Sequence, residues 1–213
     1  MKISNNVYSL DCTNGGRCFI IKETDGYTLI DTGMPKLADK IMEELKTYDI
    51  SPVSIKRILL THGDVDHIGN ADAIRKITNC EIYANQLEIP YLEGKKYYNL
   101  IKKTLRKVLH VKPIDGVKEL PQNKIGQIQI INTPGHTPGH MCYKYGKYLF
   151  IGDLVGEKNG KISMLPKTMT YDTKQLKKSI INLNLEGVEL MCPAHGNNFT
   201  PDKYINEFLP TLR

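Results

Sequence analysis

This 213-residue chain has no long apolar run, no C-x-x-C pair among its five cysteines, and no apolar leader in its opening Met1-Lys2-Ile3-Ser4-Asn5-Asn6. The first absence argues against a membrane-spanning helix, which needs about 20 apolar residues in a row. The second, with an odd number of scattered cysteines (Cys12, Cys18, Cys80, Cys142, Cys192), argues against a disulfide framework or a zinc ribbon. Together with the third, it leads to the expectation of a cytoplasmic protein that is neither secreted nor membrane-bound. Linkers, repeats and low-complexity tracts are also missing, so a single domain over residues 1–213 is expected, long enough to bury a core without staples. A large charge excess is missing too: 29 basic against 23 acidic residues leave +6, short of a nucleic-acid footprint. Acidic residues vanish from 95 to 112, where Lys95, Lys96, Lys102, Lys103, Arg106, Lys107 and Lys112 accompany Tyr97, Ile101, Leu105 and Val108 at helical spacing. That pattern predicts a helix with its apolar stripe buried and its cations in solvent.

Elsewhere the hydrophobic period switches between that of strands and that of helices. Residues 17–22 and 27–31 flank Asp25-Gly26, a hairpin turn pair. Pro35 suits a first helical position, and Leu37, Ile41, Met42 and Leu45 follow at helical spacing. A buried strand at 55–60, a short helix marked by Ala71, Ile74 and Ile77, and a strand at 81–84 come next. In the second half, residues 127–131 alternate, and 141–145 with 147–151 form a hairpin about Gly146. Leu176, Ile180, Ile181 and Leu183 mark a helix, 188–191 a last strand, and Thr200 with Pro201 the cap of a closing helix. Strand-rich halves, each finished by helices, predict an α/β protein with mixed sheets covered by helices in layers.

Histidine is what the chain concentrates. Five of the six lie in three segments: Thr61-His62-Gly63-Asp64-Val65-Asp66-His67, Thr133-Pro134-Gly135-His136-Thr137-Pro138-Gly139-His140, and Cys192-Pro193-Ala194-His195-Gly196. Each follows a predicted strand, as do Asp31 and Asp153. Imidazole nitrogen and carboxylate oxygen are the usual non-sulfur ligands of zinc, iron and manganese. Adjacent Asp66 and His67 cannot share a face of a regular strand or helix, so a tight loop at a strand end is expected there. A single histidine is more often a cap or an ordinary hydrogen-bond partner, and His110, alone in the basic stretch, keeps that reading. Cys192 reads as inert, and Tyr91, Tyr97, Tyr98 and Tyr171 as packing residues.

With Ile30-Asp31-Thr32-Gly33, the loop from His62 to His67, Thr133-Pro134-Gly135-His136, Gly152-Asp153 and Pro193-Ala194-His195-Gly196, the chain resembles the metallo-β-lactamase-fold hydrolases in all five of their ordered motifs. The resemblance spans about Val7 to Gly196 and implies a four-layer αβ/βα sandwich of two mixed sheets flanked by helices. It further implies that His62, Asp64 and His136 bind a first metal, that Asp66, His67 and His195 bind a second, and that Asp153 bridges them. His140 and Asp31 would support these ligands from behind.

The family's usual loop has histidine where this chain has Asp64. Two divalent ions carry +4, and three aspartates with a bridging hydroxide carry −4, so a neutral cluster replaces the usual +1 and the field on bound water weakens. A harder oxygen ligand also moves metal preference from zinc toward manganese or iron. The implied chemistry is attack by a metal-bound hydroxide on a small ester, thioester or lactone, with Asp66 moving a proton to the leaving group. Residues 133–140 resemble glyoxalase II and lactonase members. The alternatives are a phosphodiesterase or nuclease in which residues 95–112 grip phosphates, a mononuclear-iron oxygenase, and a non-catalytic metal-binding module. A small-molecule substrate is the expected partner; nucleic acid is disfavoured, and a β-lactamase role fits a cytoplasmic chain poorly.

Overall fold

A computed structural model describes residues 1–13 and 15–212. The chain divides into two compact units, Met1–Leu120 and Pro121–Arg213, each built on a mixed sheet flanked by helices. In the first, strands β1 (Val7–Leu10), β2 (Cys18–Glu23), β3 (Gly26–Ile30), β4 (Ile55–Leu59), β5 (Glu81–Ala84) and β6 (Lys118–Glu119) lie side by side in chain order. The first three are antiparallel and the last four parallel. Helices α1 (Ala38–Thr47) and α3 (Ala71–Thr78) flank the short helix α2 (Val65–Ile68) in sequence, and α4 (Ile89–Leu92) and α5 (Leu100–Val108) follow β5. Ile41 and Leu45 of α1 and Ile74 of α3 join Ile20, Leu29, Ile58 and Ile82 of the sheet in one buried cluster.

Two expectations for this unit are corrected. Pro35 lies in a turn ahead of α1, which starts at Ala38, because Lys36 is left-handed (φ 69°) and Asn70 Oδ1 accepts from the Leu37 N–H at 2.8 Å. The basic helix is shorter than expected and turned inside out. Its Leu100, Ile101, Leu105 and Val108 are 76, 48, 36 and 66% exposed, whereas Lys102 and Arg106 are buried. The Arg106 guanidinium donates to the carbonyls of Leu92 (2.6 Å), Lys112 (3.1 Å) and Tyr91, so a cation closes the chain ends around α4 and α5. His110, just past the helix, bonds only locally, to Lys107 O at 2.9 Å among the contacts resolved for it.

In the second unit, β7 (Lys124–Ile125), β8 (Ile128–Asn132), β9 (Met141–Tyr145) and β10 (Tyr148–Gly152) form an antiparallel meander. A separate hairpin of β11 (Gly156–Lys158) and β12 (Lys161–Ser163) follows, then α6 (Thr173–Ile181) and a strand β13 (Leu190–Pro193) parallel to β10. Residue 188 belongs to a turn, its N–H bonding Leu185 O at 3.0 Å, so the last strand begins two residues later than its apolar pattern suggests. Thr200 caps α7 (Pro201–Lys203), which runs on as a π-helical turn, Tyr204–Phe208. Leu176, Ile180, Met191, Phe199, Tyr204 and Phe208 form this unit's core with Leu149 and Ile151. All five cysteines are thiols, and among the described residues no helix is long and apolar enough to cross a membrane.

Candidate metal centre

Strands β3 and β4 are parallel neighbours with Ile30 opposite Leu59, so Asp31 and Thr61-His62 leave the sheet at the same edge, the carboxyl ends of the strands where open α/β sheets bind ligands. Asp31 is left-handed (φ 56°), a conformation that aspartate tolerates, and this turns its buried carboxylate back over the sheet. Its Oδ1 accepts from the Thr61 N–H at 2.8 Å; its Oδ2 lies 2.7 Å from Thr61 Oγ1 and 2.8 Å from His67 Nδ1. The Thr61 hydroxyl has one proton and gives it to Asp31, so at its 3.0 Å contact with His62 Nδ1 the imidazole must donate. Both rings therefore carry hydrogen on Nδ1 and a lone pair on Nε2, the state in which imidazole binds a metal.

Each Nε2 has a carboxylate oxygen beside it: Asp64 Oδ2 is 3.4 Å from His62 and Asp66 Oδ2 is 3.8 Å from His67. Two ligands at about 2.1 Å from a tetrahedral ion sit about 3.4 Å apart, so the donor spacing fits a cation, closely for the first pair and more loosely for the second. Asp66 and His67 stand on the one-turn helix α2 rather than in the irregular loop expected. Thr32 holds that turn by donating its N–H (2.7 Å) and hydroxyl (2.8 Å) to His67 O. Asp64, extended at ψ 151°, is the residue just before it.

The second unit repeats the logic. Parallel β10 and β13 end together, Gly152 opposite Pro193, and deliver Asp153 and His195, while the loop between β8 and β9 brings His136 and His140 to the same edge. Asp153 offers Oδ2 to His136 Nε2 at 3.4 Å and Oδ1 to His195 Nε2 at 3.2 Å. One carboxylate thus spans two imidazoles at ligand spacing, as a bridging residue must. The Asp153 N–H donates to His140 Nε2 (3.1 Å), which puts the proton of that ring on Nδ1, directed at Thr133 Oγ1 (2.9 Å). His140 therefore aims the Asp153 backbone. Gly135 (φ 138°) presses on α6, where a Cβ would lie 2.2 Å from Leu176 N, and the Tyr171 N–H bonds His136 O at 3.0 Å. Gly196 (φ 97°) is likewise packed on Glu157 O, and Glu157 accepts from the Asn197 N–H at 2.6 Å, its pKa held below the usual glutamate value chiefly by that bond.

A family profile described as the metallo-beta-lactamase superfamily matches residues 13–195. The chain belongs to the metallo-beta-lactamase superfamily. Along 84% of its length and 81% of the relative's, it is 32% identical to the probable metallo-hydrolase YflN of Bacillus subtilis (strain 168). Over 76% of this chain and 67% of the relative, it is 31% identical to the probable polyketide biosynthesis zinc-dependent hydrolase BaeB of Bacillus velezensis. A solved archaeal superfamily protein, ST1585 from Sulfolobus tokodaii, aligns with TM-score 0.76 over 98% of this chain and 86% of that one; at 20% identity this shows a shared fold. The protein is accordingly a superfamily metallo-hydrolase whose substrate the comparisons leave open.

Within the superfamily pattern, Asp64 is the departure, and the fold corrects the charge argument built on it. Lys102 of α5 places Nζ 2.6 Å from Asp64 Oδ2, with both side chains 6% exposed, so the extra negative charge is met by a buried ammonium. Lys102 also lies 4.9 Å over the Tyr98 ring. Tyr98 stacks on Tyr91 (4.0 Å) and gives its hydroxyl proton to Glu88, which accepts the Gly63 N–H at 2.8 Å; burial and Glu88 push the Tyr98 phenol well above its ordinary pKa. The expected ligands and the supports Asp31 and His140 are thus brought together within each unit. Sequence reasoning missed Thr61, Glu88, Lys102 and Glu157. Only Lys102 left a trace, as one of seven cations in a stretch with no acid of its own to pair with.

Proposed function

We propose that the two units act as a single domain whose ligand sets combine around two divalent metal ions, and that this centre hydrolyses a small ester, thioester or lactone. His62, Asp64 and His136 would hold the first ion, Asp66, His67 and His195 the second, and Asp153 both. The observation that carries this reading is the Asp153 carboxylate, with one oxygen at 3.4 Å from His136 and the other at 3.2 Å from His195. Zinc suits the histidine donors and is named for BaeB; the carboxylate at position 64 also admits manganese or iron. When bound, such ions supply Lewis acidity, lowering the pKa of a coordinated water and polarising the scissile carbonyl. The chain's own residues orient the donors: Asp31 and Thr61 keep His62 and His67 in the Nε2 lone-pair tautomer, and His140 steers Asp153. Asp66, half-buried on α2, would pass a proton to the leaving group.

The inverted α5 favours a small molecule over a phosphodiester or nucleic acid. Two of the cations that would have gripped phosphate, Lys102 and Arg106, are engaged inside, on Asp64 and on backbone carbonyls. Five thiols without a disulfide fit a reducing cytoplasm. The test is a panel of esters, thioesters, lactones and phosphodiesters with metal-reconstituted protein, and with His136→Ala as the control. We expect turnover of a carbonyl substrate that the substitution abolishes. Turnover confined to phosphodiesters, or oxygen consumption at a single iron, would overturn the reading in favour of those chemistries.

A further inference from the structure

Lys102 belongs to a helix whose apolar residues are left in water, and its buried ammonium lies 2.6 Å from Asp64 Oδ2. Exposing Leu100 and Val108 to bury a lysine reverses the usual sorting, and an ion pair of this closeness is what offsets the cost. The scaffold is tied to the ligand loop. Asn99 caps α5 by accepting the N–H of Lys102 itself at 2.9 Å, which fixes where the side chain leaves the backbone. Tyr98, beneath the ammonium, is bonded to Glu88, and Glu88 to the Gly63 N–H next to Asp64. The Asp64 oxygen that meets Lys102 is the same Oδ2 that lies 3.4 Å from His62 Nε2.

We propose that Lys102 is a built-in counter-ion that competes with a divalent metal for the Asp64 carboxylate, and so sets how tightly the first metal is held. This rests on the metal-centre reading above. An ammonium and a divalent cation drawn to one carboxylate repel each other, so the metal binds more weakly than it would to the same donors without the lysine. Removing the ammonium takes away that repulsion and strips a buried carboxylate of this close counter-charge, whose place the metal then takes. In the protein without metal, the same removal is destabilising.

The test is calorimetric titration of chelator-stripped protein with manganese(II), and with zinc(II) against a competing chelator, for wild type, Lys102→Met, Lys102→Gln and Lys102→Arg. Lys102→Gln keeps a donor for Asp64 and reads the charge effect should the methionine variant fail to fold. The expected result is tighter binding of one metal equivalent, by about ten- to hundredfold, in both neutral variants. Their metal-free forms should melt below wild type, and Lys102→Arg should bind like wild type. Unchanged or weaker binding in folded neutral variants overturns the proposal while leaving the metal centre intact. Wild type that binds no divalent metal removes the metal centre itself, and the proposal with it.

Discussion

Replacing Asp31 with asparagine isolates the contact that would ready His67 for a metal. The side chain keeps its shape, and asparagine accepts the left-handed backbone (φ 56°) as readily as aspartate, so no strain enters. The Oδ1 bond to the Thr61 N–H at 2.8 Å survives. Where Oδ2 accepted from Thr61 Oγ1 and His67 Nδ1, an NH2 group now faces two donors. Each lost charge-assisted bond is worth about 1.5–3 kcal/mol, but the pocket relieves most of this by moving the His67 proton to Nε2 and rotating the Thr61 hydroxyl, so stability should fall by only about 1–3 kcal/mol. The cost appears in metal binding: a protonated Nε2 cannot ligate, and supporting carboxylates of this kind contribute about 10- to 100-fold, or about 1.4–2.7 kcal/mol. A competing chromophoric chelator measures the affinity, and histidine nitrogen shifts report the tautomer. If Asp31→Asn binds within twofold of wild type with the His67 proton still on Nδ1, the account of Asp31 is wrong.

Glu157 offers a pH handle. Its folded-state pKa lies below the ordinary value of 4.5, so its contribution to stability is fully present above that pH and disappears as pH falls through the lower folded value. Thermal melts of Glu157→Gln should therefore show a lower melting temperature at neutral pH and a flatter acid limb than wild type, and parallel limbs would count against its role in holding the His195 loop. Arg106→Met should remove about 1.5–3 kcal/mol of stability by taking the charge-assisted donors from the carbonyls of Leu92, which keeps the Ile114 N–H, and of Lys112, as denaturant unfolding would show. An unchanged midpoint would mean that water replaces the guanidinium.

Much of the candidate centre was legible because its candidate ligands cluster in sequence and each cluster follows a strand. Ile30 and Leu59 pair in parallel in the first unit, which carries Asp31 and His62 to neighbouring strand ends, and Gly152 and Pro193 pair in the second, which does the same for Asp153 and His195. The α5 reading failed for a reason periodicity cannot reveal. A hydrophobic stripe states which face would be buried if packing alone decided, but Asp64 and the carbonyls around α4 draw two cations inward instead. Likewise, the tight loop expected at residues 64–67 is a helical turn, because Thr32, distant in sequence, bonds His67 O twice. Such long-range polar contacts leave no period in the chain.

The central claim is tested most directly by counting metal ions per chain, by elemental analysis of tag-free, chelator-free protein before and after reconstitution, with Asp153→Ala alongside. Two equivalents in wild type, accompanied by hydrolysis of a carbonyl substrate and both lost in Asp153→Ala, are what the account predicts. One equivalent or none with no turnover, or two retained in the Asp153→Ala variant, would contradict it.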